Sequence, residues 1–432
     1  MTKSSENPTN LEASPCGGGL DGANLSGRFA RACCSAVKYI LLLAVFASGS
    51  SCASFRSVNL ITSNSQQTSI QNFTDTIDVQ FHYGRIIVPV EIAGKTRRFM
   101  LDTGAGTTIS KSLAEELNYQ GRKRSMLLSW PFFDRKVRRH SVSPIEKLKL
   151  GNITFENVWV TEAVERVDTT IFNKPCDFFD GLLGSDLLNA FSVKLDMQNR
   201  RMILSDNSLL TSVNPAFRQP MEITKAMGYP KVEISAQGQK KDVLFDTGFS
   251  RWGSLNNFIR HLEKNQTTIE NEQRDERGRL RRKTVRFNEL TIGDISIQNV
   301  SLRIPRKREL SVIGASILYH AVVILDYKNS EFAIIPYDNS RQITVLHSFG
   351  VGFFFSKNNE LVIHEIGENS PAERAGLKIG FRIKEIDEFV INAESRCELF
   401  EKFDFQKPTG NTRKLLVVDL DGNEKEIVLT RN

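Results

Sequence analysis

Four short blocks recur in the same order along this chain, and that repeat constrains the fold more than any single motif does. Val88-Pro89-Val90-Glu91-Ile92 leads to Asp102-Thr103-Gly104, and Pro230-Lys231-Val232-Glu233-Ile234 leads to Asp246-Thr247-Gly248. Leu148-Lys149-Leu150-Gly151-Asn152-Ile153 returns as Leu290-Thr291-Ile292-Gly293-Asp294-Ile295. Gly181-Leu182-Leu183-Gly184 returns as Ser311-Val312-Ile313-Gly314, and Val193-Lys194-Leu195-Asp196 as Val323-Ile324-Leu325-Asp326. The copies are offset by 144 residues at the triplets and by 142, 130 and 130 at the later blocks. A chain duplicated in this way folds as two similar units.

The blocks are β-branched and aromatic and are separated by Gly, Asn and Asp turns, so each unit is expected to be mainly β. Asp196-Met197-Gln198-Asn199 and Asp326-Tyr327-Lys328-Asn329 read as hairpin turns, and one short helix is expected after Gly184 and after Gly314. At 432 residues the chain exceeds one ordinary core. The expected division is 1–52 as a leader, 53–76 as a polar tether, 77–210 and 211–340 as the two lobes, and 346–432 as a third region.

The leader reads as an export signal. Arg28, Arg31 and Lys38 precede nine apolar residues from Tyr39 to Ala47, too few to span a bilayer. Small residues then lead into Cys52. Two outcomes fit: cleavage of the leader, or lipidation of Cys52 as in bacterial lipoproteins, which Gly49 matches imperfectly. Both place the protein in a cell envelope, and lipidation would anchor it to a membrane facing the periplasm or exterior. Processing would leave Cys176 and Cys397 in different regions, which indicates no disulfide framework. The net charge of +7 comes without zinc-finger spacing or an aromatic-basic stacking motif, so no nucleic-acid partner is expected.

The chemistry centres on the two Asp-Thr-Gly triplets. Each closes an apolar run, Phe99-Met100-Leu101 or Val243-Leu244-Phe245. A strand that ends in a carboxylate and turns at Gly presents that carboxylate at a cleft floor. Two such strands related by a repeat bring two carboxylates face to face, where like charges are costly unless one holds a proton. The Thr hydroxyls can bond across to the partner loop. Ser250 follows the second triplet where its hydroxyl could donate to Asp246, whereas the first copy has Gly106; this asymmetry favours the charge on Asp246 and the proton on Asp102. Thr107 could supply the donor missing from the first copy. Histidine and cysteine spacings offer no zinc site, and Gly-x-Ser-x-Gly is absent.

Asp102-Thr103-Gly104-Ala105 and Asp246-Thr247-Gly248-Phe249-Ser250, each with its aliphatic-aliphatic-Gly block, resemble retropepsin-type aspartic proteases over residues 77 to 338. The resemblance implies a bilobal acid-protease fold of two β-barrel lobes in one chain, so that catalysis requires no dimer. It implies Asp102 and Asp246 as the catalytic pair, supported by Thr103, Gly104, Thr247, Gly248 and Ser250, a protein or peptide substrate, and no cofactor. Relatives carry a flap between each triplet and its Leu-x-(Leu/Ile)-Gly block. Here those segments are basic, with Arg122-Lys123-Arg124 and Arg281-Arg282-Lys283. Such tips fit acidic substrates, an anionic membrane face or an ordinary solvated hairpin edge. Trp130, Phe132 and Phe133 could close over a substrate or pack into a core.

The third region resembles a bacterial PDZ domain, an α+β fold. Gly350-Val351-Gly352-Phe353 looks like its carboxylate-binding loop, and Ser370-Pro371-Ala372 through Ala375-Gly376-Leu377 matches its helix start. Phe381 and Asp387-Glu388 depart from the pattern at turns. The resemblance implies a ligand that is a free C-terminus or an extended strand; a domain that only packs on the lobes is the alternative.

Overall fold

The computed structural model describes residues 61, 72–118, 124–130, 134–163, 173–174, 177–225, 227–256, 267–274, 280–305, 310–346, 348–356, 358–367, 369–395, 398–399, 402–403 and 410–431. The leader, Cys52, Arg122, Lys123, Phe132, Phe133, Cys176 and Cys397 lie outside them, as do the side chains of Arg124, Trp130, Arg281 and Arg282.

The fold is mainly β and two-lobed, as the repeat requires. In the first lobe, Arg85–Ile92 pairs with Lys95–Asp102, which carries the first triplet's carboxylate at its end. Phe99 and Leu101 on this strand are fully buried, so the apolar run preceding the triplet fixes the strand in the core. Gly181–Gly184 then runs parallel alongside, with Gly184 opposite Asp102. The second lobe repeats the arrangement: Pro230–Ala236 pairs with Gln239–Asp246, and Val312–Gly314 lies parallel to it with Gly314 opposite Asp246. The expected short helices follow both Gly residues, Ser185–Leu188 as α-helix and Ala315–Tyr319 as 3-10 helix. In each lobe the segment after the triplet forms a long hairpin, with Arg124–Trp130 against Asp134–Leu150 and Thr267–Arg274 against Leu280–Ile292.

A run of six antiparallel strands joins the lobes. Thr74–Asp78 pairs with Arg201–Ser205, which pairs with Ser192–Asp196. Ser192–Asp196 pairs with Ala321–Asp326, the same block of the other copy, with Ser192 opposite Asp326 and Leu195 opposite Val323. Glu331–Pro336 and Arg218–Ile223 complete the run. One hydrophobic cluster extends through both lobes, from Ile77 to Ile343. Burying a large aliphatic or aromatic side chain contributes roughly 1.5–3 kcal/mol. Shared between copies, that core holds the two triplets in fixed register.

A strand begins inside the segment whose composition indicated a tether. It starts at Thr74, although Thr74-Asp75-Thr76 is polar. The reason lies in its partners. Asp75 accepts hydrogen bonds from the backbone and side-chain amides of Asn152 at 2.6 and 3.0 Å, pinning an edge strand that has little apolar surface of its own.

Residues 348–431 carry a separate core that includes Leu361, Ile363, Ala372, Leu415 and Leu429. Val351–Phe355, Leu361–Ile366, Arg382–Ile386, Thr412–Val418 and Glu424–Thr430 form an antiparallel sheet with Val351–Phe355 at its edge. Ser370 caps the helix Pro371–Arg374, its hydroxyl accepting from the Glu373 amide as the Ser-Pro pair predicts. The Tyr83 hydroxyl in the first lobe donates to the carbonyl of Phe403, tying this unit to the turn beside Gly84.

Candidate active site

The two triplets meet at the centre of the molecule. The Thr103 amide donates to the Thr247 hydroxyl at 3.0 Å, and the Thr247 amide donates to the Thr103 hydroxyl at 3.0 Å. Each hydroxyl passes its own proton across: Thr103 to the carbonyl of Phe245 at 2.6 Å, Thr247 to that of Leu101 at 2.9 Å. Both Thr side chains are fully buried, so four mutual hydrogen bonds lock the loops where water cannot compete.

That lock brings each carboxylate up to the opposite loop, close enough for the charge of Asp246 to act on Asp102. Asp246 is buried, whereas Asp102 retains partial exposure. Gly104 and Gly248 face the opposing side chains. A Cβ on Gly104 would stand less than 3.0 Å from all three carboxyl atoms of Asp246, and one on Gly248 equally close to those of Asp102. Glycine is needed here for close approach, since neither position has a left-handed backbone.

Burial raises both carboxyls above their ordinary range, and for Asp102 the neighbouring charge of Asp246 adds to the rise, taking it well above. Backbone amides oppose the rise unequally. Asp246 is drawn back by the amides of Gly248, Phe249 and Gly104, with Gly248 at 2.9 Å. Asp102 has the Gly104 amide at 3.0 Å. Negative charge is therefore better accommodated on Asp246.

The donors around the two carboxyls are not those the sequence suggested. Ser250 makes no hydrogen bond to Asp246 among the described contacts; its carbonyl accepts from the Ser316 hydroxyl at 3.2 Å, which makes Ser250 part of the loop's frame. Thr107 does not compensate in the first copy either. Its amide and hydroxyl both donate to Asp186, at 2.7 and 2.8 Å, and its hydroxyl accepts from the Gly184 amide at 3.1 Å. Asp186 is a third, fully buried carboxylate near the pair that sequence reasoning passed over; it stands two residues beyond Gly184, where the second copy has Ser316. Ser185 was missed too: its hydroxyl donates to the Thr103 carbonyl at 2.7 Å and lies 3.2 Å from the Tyr327 hydroxyl, so it braces the first triplet from the inter-lobe sheet. Gly350, Val351, Gly352 and Phe353 lie apart from this centre, on the loop and edge strand of the C-terminal sheet; Gly350 has a left-handed backbone (φ 71°) beside Ser370.

These directions fix a pH dependence. Folded carboxyls raised above their unfolded value of roughly 3.9 retain protons that the unfolded chain has lost. Their contribution to stability is complete below that value and disappears as pH rises through the raised values. Asn at 102 carries no such loss. The melting temperature of Asp102→Asn relative to the parent should therefore climb as pH rises from below about 3.9 through the raised values. Scanning calorimetry across that range checks it, and a difference that stays flat or shrinks contradicts the raised values.

Residues 88–187, which include the first triplet and its Gly block, match the model of a family described as Aspartyl protease. This match supports an aspartyl protease reading of the chain. No curated protein matches. Among solved structures, the chain is similar to Basic 7S globulin from soybean, with 12% identity over 61% of this chain and 95% of that one and a TM-score of 0.38. It is also similar to a retropepsin-like aspartic protease from Rickettsia conorii, with 18% identity over 32% of this chain and 94% of that one and a TM-score of 0.22.

Proposed function

We propose that the protein is an aspartic endopeptidase whose dyad is Asp102 and Asp246. One observation carries the reading: two carboxyls, each set against the glycine of the other's loop, on loops cross-locked by Thr103 and Thr247. Such a pair is poised to hold one proton between two oxygens. A water placed between them loses a proton to ionised Asp246 as its oxygen attacks the peptide carbonyl carbon. Asp102 gives its proton to the carbonyl oxygen, which yields a neutral gem-diol. As the diol collapses, one hydroxyl proton returns to Asp102 while Asp246 passes its proton to the amide nitrogen; the C–N bond then breaks. The pair ends as it began, with Asp102 protonated and Asp246 ionised.

The C-terminal unit is assigned to substrate or partner capture in the manner of a PDZ domain. In support, Gly350 opens an edge strand, Val351–Phe355, whose outer side is placed to receive an extended peptide. Attachment to an envelope membrane through lipidated Cys52 completes the proposal. No helix of the described residues is long and apolar enough to cross a membrane. The test is digestion of a broad peptide library by the purified protein, read by mass spectrometry of new termini. Internal cleavage is expected. Saturable peptide binding without any new terminus would replace the endopeptidase with a peptide-binding protein.

A further inference from the structure

Ile61 belongs to a stretch otherwise dominated by Ser, Thr, Asn and Gln, where composition gives no reason to expect burial. Its side chain is nevertheless fully buried, clustered with Val142 and Met227 and against the partly buried Trp159 and Tyr229. These partners come from both lobes. Val142 and Trp159 lie on the returning strand of the first long hairpin and the strand after it, whereas Met227 and Tyr229 lie on the turn that opens the second lobe. Hydrogen bonds from the Thr224 amide to the Tyr229 carbonyl and from the Tyr229 amide to the Thr224 hydroxyl, both 2.9 Å, hold that turn.

The cluster stands beside the dyad. A Cβ on Gly106, four residues beyond Asp102, would overlap the Met227 methyl and lie 3.8 Å from Cγ2 of Ile61 and 4.0 Å from the Asp186 carboxylate. The Tyr229 phenol is raised first by its burial and then by the charges of Asp102, Asp186 and Asp246, which places it in the field of all three. A peptide laid across Asp102 and Asp246 therefore has this apolar recess next to it, and the recess is filled by a residue of the same chain.

We propose that the recess is a side-chain subsite for an aliphatic residue of the substrate, and that Ile61 is its intrachain occupant, holding the enzyme in a self-inhibited state. The proposal rests on the endopeptidase reading. Gly106 leaves room for Met227, whose side chain supplies an adaptable apolar wall against Ile61. An occupant on the same chain acts at a local concentration on the order of millimolar, so a free peptide competes at a disadvantage until the occupant is displaced or removed.

The test uses the full chain with Ile61→Asp and the milder Ile61→Ala, beside the parent. Substrates carry Ile, Val, Leu or Asp at scanned positions. Ile61→Asp should raise kcat/KM for the aliphatic substrates at least tenfold, mainly through KM, and Ile61→Ala should raise it less. A synthetic peptide of residues 53–71 should inhibit Ile61→Asp competitively, and the same peptide with Asp at 61 should not. A merely structural Ile61 predicts a lower melting temperature with no gain in kcat/KM for either variant, and that result overturns the inference. If no variant cleaves any substrate, calorimetric titration of the 53–71 peptide into Ile61→Asp decides. Binding keeps the recess and its occupant while removing the endopeptidase reading; no binding removes the inference itself.

Discussion

Asn at either position 102 or position 246 is expected to lower kcat/KM for peptide cleavage by roughly 10²–10⁴-fold, the range lost when a general acid or base is removed. The two substitutions fail for different reasons. Asp246→Asn removes the carboxylate that the amides of Gly248, Phe249 and Gly104 favour in its charged form, so no base takes the proton of water. Asp102→Asn removes the group whose burial beside Asp246 keeps it protonated, so the carbonyl oxygen has no acid. Neither should unfold the protein, because the Thr103 and Thr247 cross-bonds do not involve these side chains. The double variant should be scarcely worse than the single ones, since each already dismantles a unit that works as a pair. Steady-state assays of the three variants beside the parent check this. Activity within tenfold of the parent in either single variant contradicts the assignment.

Alanine at Gly104 or Gly248 should do the opposite to stability. The added methyl would stand within 3.0 Å of the facing carboxyl, between loops already fixed by four buried hydrogen bonds. Overpacking of this kind costs typically 1–3 kcal/mol. Relief by separating the loops would move the carboxylates apart, and a shift of ~1 Å at reacting groups costs about 10²-fold in rate. Gly104→Ala and Gly248→Ala are therefore expected to lose both melting temperature and activity. A variant that keeps both would show that the facing carboxyl is not where the account puts it.

The duplicated blocks made the strands, the triplet loops and the mutual role of the Thr hydroxyls legible, because each depends on local pattern and on symmetry between copies. The joining sheet was not legible in the same way. Alternation places Ser192–Asp196 and Ala321–Asp326 in strands, but only the assembled lobes show that they pair with each other. Hydroxyl partners were the least readable feature. Ser250 and Thr107 occupy comparable places after their triplets' Gly, yet one offers its carbonyl to Ser316 and the other turns its hydroxyl to Asp186. The first copy has the buried acceptor Asp186 where the second has Ser316, so the acceptor Thr107 finds in one lobe is absent from the other. Thr74–Asp78 and Ile61 were hidden for another reason. Polar composition marks a segment as having little to bury, and it cannot reveal that a neighbour's amide or a recess in another lobe is waiting for one of its side chains.

The shared proton is open to direct measurement. Carbon-13 labelling of the Asp carboxyl groups, with Asp102→Asn and Asp246→Asn spectra as assignments, follows the pair through its titration by NMR. The account predicts two separated steps, the later one well above the ordinary carboxyl range of about 3.9, with the first belonging mainly to Asp246. Both groups losing their protons together at the ordinary value would mean that the carboxyls do not face each other, and the proposed chemistry would have no basis.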